Sequence, residues 1–337
     1  MTMANPALGA KMYFQCGLES TWATAVAATH RFGVLGFGFT PDAGLAEDNT
    51  QTGSANTPPS IPTIQSAGGW IEMIFDYEVL GILLDWAYGT ATFGSAGESV
   101  SGAGPYVHTV NDSKTVFNSL TGQFIEGDVP TGKCARAAGM KCSRMNIRAA
   151  SDAGNGAVGI VRFEWVAKGK EYNVTPTALS ASTRSNVTWP HLSTLNNGTA
   201  DATADQAIVS IDYTLENPLT RQATGRTPGY IDEPILNGAR RTSLRLVQRM
   251  HTKTLQDAYL AGTDLTPAFT FTKSASNVAA FTFPKARLAS PPDPDFSGYE
   301  MPQMTLDYHC HDGGSDTPRL QPTNTTATKL TPSHPPI

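Results

Sequence analysis

The chain is short of charge. Of its 337 residues only 16% are Asp, Glu, Lys or Arg, against a usual quarter. So neutral a surface fits a protein that covers much of itself with further copies of itself. Net charge is −5, and it is spread evenly: residues 1–170 hold 11 Lys/Arg and 14 Asp/Glu, the remainder 13 and 15. Neither half carries the basic footprint of a nucleic-acid reader. Cysteine is scarce as well. Cys16, Cys134, Cys142 and Cys310 form no CxxC pair and no ladder of spacings, so free thiols in a reducing compartment are expected rather than a disulfide framework. Long apolar runs are missing too. The longest, Val79 to Tyr88, is broken by Asp85 and is too short to span a bilayer. The opening MTMANPALGAKMYFQC has no apolar h-region. The expectation is a soluble, unexported chain without a membrane partner.

Catalytic signatures are equally sparse. There is no G-x-S-x-G, no Walker-type loop and no H-E-x-x-H. GFGFTPDAG has the glycines of a dinucleotide site but not its strand-to-helix setting. His309 and His311 of HCHDGG would share one side of a strand, with Asp312 beside them, yet no fourth ligand is suggested. Glu72 and Asp76 sit four apart on one face of a strand, about 13 Å by strand rise, too far for a glycosidase pair. Four Asn-x-Thr triplets, at Asn173, Asn186, Asn197 and Asn324, read as coincidences in a Thr- and Asn-rich chain. The expectation is no enzyme, no cofactor and no metal.

What is present is punctuation. Thirty-one glycines and 23 prolines separate short alternating runs, the pattern of a mainly β protein. Strands are expected near 30–40, 69–77, 119–127, 139–149, 158–168, 207–216, 242–250, 267–273, 279–288 and 301–310. In 158–168, Val161, Phe163 and Trp165 face one way, Arg162, Glu164 and Lys168 the other. Residues 171–205 are polar and read as a linker or excursion. The Thr/Pro-rich segment 313–337 reads as a loose C-terminal arm.

One unit occurs twice. In GGWIEMIFDYEVLGILLDWAYGT (68–90) period-2 alternation passes into a helical stripe of Val79, Leu80, Leu83, Leu84, Trp86 and Ala87, ending at Gly-Thr. RRTSLRLVQRMHTKTLQDAYLAGT (240–263) does the same. Each unit follows a strand and a long loop of about 25–28 residues, and each leads to further strands. The spacing predicts two copies of one β domain, over 1–170 and 206–312. Loops of such length are usually functional. The first contains Pro58 and Pro59. The second carries the apolar clusters Tyr230-Ile231 and Ile235-Leu236, which are expected to dock on a neighbouring chain and to order on assembly.

These residues resemble a known family. ANPALGAKMYFQCGLESTWATAVAATHRFGVL is similar to the opening of tail tube (major tail) proteins of long flexible-tailed, siphovirus-type bacteriophages, with Trp22-Ala23-Thr24 ahead of the strand from His30. Gly139-Met140-Lys141-Cys142-Ser143, the hairpin Gly154-Asn155-Gly156 and Phe163-Glu164-Trp165 match the most typical part of that family. The resemblance implies a β-sandwich with a flanking helix, whose inner sheets close into a β-barrel ring on oligomerisation. It implies a structural virion protein, assembled in the host cytoplasm, whose stacked rings form the conduit for DNA ejection. It implies further partners in the tail: tape measure, tail terminator and distal tail proteins. A duplicated chain would need three copies rather than six for a pseudo-sixfold ring. On that reading Glu72, Asp76, Asp212, Glu216, Arg245 and Arg249 face the lumen. A net acidic wall would let double-stranded DNA slide, with Arg245 and Arg249 paired across strands with Asp212 and Glu216. Two other readings stand beside it: another tail or neck tube component of the same fold, and a β-sandwich carbohydrate-binding or adhesin module. The latter needs an exposed aromatic platform, which tryptophans at core positions do not supply.

Overall fold

The structure, a computed structural model, describes residues 12–42, 45–46, 61–62, 64–89, 99–101, 105–111, 115–126, 134–151, 157–181, 184–199, 208–223, 229–249, 253–292, 294–295, 303–311 and 319–324. It is mainly β. Eight strands lie edge to edge in one antiparallel run, in the order Gly36–Asp42, Ser66–Ile74, Ile160–Ala167, Cys134–Ala150, Ile208–Glu216, Arg241–Arg249, Gln303–Cys310 and Ala286–Leu288. Numbered by sequence within each set of four, the order is first, second, fourth, third, and then first, second, fourth, third again. In each set a helix follows the second strand: α1, Tyr77–Tyr88, and α2, Thr254–Ala261. The two sets meet where 134–150 pairs with 208–216, from Arg144 opposite Glu216 to Ala150 opposite Ser210.

Alternation decides which face of this sheet is covered. Ile71, Met73, Val161, Phe163, Trp165, Met145, Ile147, Ile211, Tyr213, Leu244, Leu246, Leu306 and Tyr308 point one way and are buried. Each large side chain so buried contributes roughly 1.5–3 kcal/mol. Two layers cover them. Over the first set, the long strand 134–150 bends. Gly139, at φ +76°, turns the chain where an added Cβ would strike the Trp22 ring. The part before the bend pairs with Leu120–Ile125 and Gly169–Val174, and 120–125 continues to Tyr13–Leu18 and His30–Gly33. Phe124 of this layer packs on Phe37, Phe39 and Trp165.

Over the second set lies a six-stranded sheet, ordered Leu192–Asn196, Ala268–Ser274, Asn277–Thr282, Arg319–Asn324, Tyr106–Asn111, Ser99–Ser101. Phe281 of this layer packs on Tyr213 and Phe75. One continuous core runs through both sets. The result is a β-sandwich, and the described strands close no barrel within the chain.

Most expected strands are present with ends shifted by a few residues. Two segments differ in kind. The polar stretch 171–205 supplies most of one strand (169–174) and the whole of another (192–196), which form by pairing with 134–138 and with 268–271. The described part of the C-terminal arm is not loose: 319–324 is an interior strand, with Leu320 and Asn324 fully buried. There Asn324 Nδ2 donates to the Tyr77 carbonyl at 3.0 Å and its Oδ1 bonds His108 at 2.9 Å.

α1 sits where the two sets join. The Asp76 carboxylate accepts from the amide of Glu78 (2.8 Å) and from that of Ser185, capping the helix start. Tyr88 Oη and Tyr213 Oη are 2.6 Å apart. Asn217 Nδ2 donates to the carbonyls of Ala87 and Cys142, at 2.9 and 3.0 Å. Leu83, Leu84, Trp86 and Ala87 are buried. α2 is the reverse case: Leu255 alone of its side chains is buried, and Leu260 is 80% exposed.

Candidate functional site: the open face of the long sheet

Among the described residues, no layer lies over the second face of the long sheet. Strand register lines its side chains into rows. One row runs Arg148, Asp212, Arg245, Asp307, each directly opposite the next. Another runs Glu164, Arg144, Glu216, Arg241. A third places Glu72 opposite Arg162. Signs alternate along each row. Arg148 Nε lies 3.5 Å from Asp212 Oδ2, Arg144 Nε 3.6 Å from Glu216 Oε1, and Arg245 Nε 3.6 Å from Asp307 Oδ1. These side chains are a third to two thirds exposed, so each pair contributes only ~0.2–1 kcal/mol. Their larger effect is electrical: the face is ionic in detail and balanced in sum. Arg162 also stacks over the Trp70 ring at 4.5 Å, which spreads part of its charge over an aromatic face.

The expected site residues fall into three groups. Glu72, Asp212, Glu216, Arg245 and Arg249 lie on strands of this sheet, with side chains on the open side. Asp212 faces Arg245 as expected, but Glu216 faces Arg241 and Arg144; Arg249 lies opposite Gln303. Asp76 is placed elsewhere. It is 3% exposed and caps α1, because the strand ends at Ile74. The expectation of an acidic face is also revised. Arg144, Arg148 and Arg162 stand on the part nearest the N-terminus and offset its acids. Alternation signalled Arg162 and Glu164; the partners of Arg144 and Arg148 depend on register, which one sequence does not carry.

Of the loop residues, Pro58 and Pro59 lie outside the described residues. The second loop is held by its own chain. Buried Lys141 Nζ donates to Glu233 Oε1 (2.7 Å) and to the Pro234 carbonyl (2.9 Å). Burial lowers the Lys141 pKa, and Glu233 opposes that shift. The Ile231 amide donates to the Gln65 carbonyl at 3.1 Å, and Ile231 is buried. Lys168 stands over the Tyr230 ring at 5.3 Å. Leu219 and Leu236 form a bridge across the base of the loop, and Ile235 stays 62% exposed. The loop thus leaves the second set of strands and docks on the first, across the join.

The family model for phage tail tube proteins matches residues 9–310. The chain belongs to the phage tail tube family. A search of curated proteins finds no significant match. Membership of a tail tube family makes the role structural, in the virion tail, with self-assembly and other tail proteins as partners in general. Among the described residues no helix is long and apolar enough to cross a membrane.

Proposed function

We propose that this tail tube protein is the repeating subunit of the conduit: three copies close into a ring, rings stack, and DNA leaves the virion through the lumen during ejection. The observation that carries the reading is the strand order, first-second-fourth-third, which occurs twice head to tail in one sheet. Residue patterns agree with the topology. Phe39-Thr40-Pro41-Asp42 aligns with Tyr213-Thr214-Leu215-Glu216. Gly69 then lies between Phe39 and Trp165, as Leu244 lies between Tyr213 and Tyr308. The same register lays Phe163-Glu164-Trp165 over Leu306-Asp307-Tyr308. A duplicated domain whose copies already pair in series needs no new geometry to add a third and a fourth. Closing the series removes the sheet edges.

The open face becomes the wall of the lumen. Except for Arg249, which faces Gln303, its arginines stand opposite acids across the strands, so few stay free to neutralise phosphates, and each phosphate contact avoided removes one counterion-release contribution to binding. DNA would slide along such a lattice. The test is electron microscopy of the purified full chain with mass measurement on the same sample. Three chains per ring, in stacks, is the expected result. Rings of six chains would overturn the pseudo-sixfold reading. Monomers alone, even with tail initiator proteins added, would overturn the tube reading.

A further inference from the structure

We infer that Asn237 is a modification site: its side-chain amide is lost as ammonia through attack by the Gly238 backbone nitrogen, leaving aspartate or isoaspartate at one end of the open face. The inference does not depend on the ring reading. The chain holds three Asn-Gly pairs, at 155–156, 197–198 and 237–238. The first lies outside the described residues. The other two share a dipeptide and a glycine of positive φ, +94° at Gly198 and +131° at Gly238. A glycine puts no Cβ beside its own nitrogen, so by sequence both pairs are open to the reaction. The structure tells them apart.

Asn197 is locked. It is 2% exposed. Its Oδ1 accepts from the amide of Thr199 (3.1 Å) and from Thr199 Oγ1 (2.8 Å), and its Nδ2 donates to Gln248 Oε1 at 3.3 Å. The nitrogen that would attack is taken as well: the Gly198 amide donates to Asn196 Oδ1 at 2.7 Å. Tyr308 Oη donates to the Asn197 carbonyl at 2.8 Å. Reaction there needs this network to open first.

Asn237 is free to react. It and Gly238 are exposed. The Asn237 amide donates to the Pro218 carbonyl at 2.7 Å, which fixes the backbone on its N-terminal side. Among the described residues neither the Asn237 side chain nor the Gly238 amide has a hydrogen-bond partner. An added Cβ at Gly238 would meet only Pro218 Cγ, at 3.6 Å, so the space around the attacking nitrogen is open. Both residues line a groove of about 540 Å³ with Arg144, Glu164, Glu216 and Arg241. Its charges are matched two against two, so access and freedom, rather than a local field, set the reaction.

The chemistry balances. The Gly238 nitrogen bonds to Asn237 Cγ, the Cγ–Nδ2 bond breaks, and ammonia leaves with the proton that the backbone amide gives up. Water then opens the cyclic imide at either carbonyl. One opening gives aspartate. The other gives isoaspartate, whose main chain is longer by a methylene. Either product adds to the groove an acid with no arginine set opposite it. Isoaspartate also lengthens the chain beside the Leu219–Leu236 bridge that closes the loop.

The test holds the folded full chain and a urea-unfolded sample in mildly alkaline buffer and maps both by peptide mass spectrometry, with aspartate and isoaspartate resolved. In the folded chain position 237 should convert at least about tenfold faster than 197, which waits on opening of the core. In urea the two should convert alike, since glycine follows both. The isoaspartate form, separated by ion exchange, should exchange amides across 229–237 severalfold faster than Asn237→Asp, which carries the same charge on an unlengthened chain. Equal rates at 237 and 197 in the folded chain, or conversion at 237 in urea alone, would overturn the site. Aspartate without isoaspartate would overturn the imide route, and equal amide exchange in the two forms would overturn the effect on the loop.

Discussion

Glu19 has no solvent contact, yet it ties three distant segments together. One carboxylate oxygen accepts from Ser119 Oγ (2.5 Å) and the Ala23 amide (2.9 Å), the other from Thr121 Oγ1 (2.7 Å) and the Gly139 amide (2.8 Å). Burial pushes its pKa above the ordinary value, and these four donors oppose the shift without cancelling it. The sign follows from linkage. A raised folded-state pKa means that the native protein holds the proton more tightly than the unfolded chain. The contribution of Glu19 is then full below the unfolded value of about 4.3 and declines as pH rises through the folded value. Unfolding of the native chain and of Glu19→Gln, compared between about pH 4 and 7, should show the native chain's advantage shrinking. An advantage that grows with pH would mean that the donors outweigh burial. At this scale the sequence was legible where alternation holds, as in Val161, Phe163 and Trp165 against Arg162 and Glu164. Asp76 misled because its parity continues that of Glu72 past the end of the strand. An acid just before a helical stripe is also an N-cap signal, and that signal describes it correctly.

Among the elements, the loop spanning 217–240 separates what composition tells from what packing decides. Its apolar clusters mark a docking segment, but the docking site is on the same chain, where Lys141 waits 3% exposed. A buried ammonium is costly unless paired, so Glu233 holds the loop as much as the loop covers Lys141. Glu233→Gln should speed amide exchange across 229–237 severalfold while leaving the core strands 160–167 and 241–249 protected. Uniform acceleration throughout the chain would show instead that the loop is part of the cooperative core. The strands at 13–18, 106–111, 169–174, 192–196 and 319–324 were not legible. They are short, or rich in Gly, Thr and Asn, and they exist because neighbours pair with them, a tertiary preference rather than a local one. The strand–helix units were legible because two periodicities meet inside each of them.

For the whole molecule, the repeated unit in the sequence pointed to duplication, and the strand order gives duplication a geometric meaning. Two like units lie head to tail in one sheet, with a closed join between them and an open end on either side. What the sequence withheld was register. It set the charges into alternating rows and made the open face balanced rather than acidic. The measurement that tests the central claim most directly is a cryo-EM reconstruction of the assembled tube. Three chains per ring, each giving eight strands, should form one continuous inner wall of twenty-four, with Glu72, Asp212 and Arg245 facing the lumen. Six chains per ring, or the long sheet turned to the outside of the tube, would contradict it.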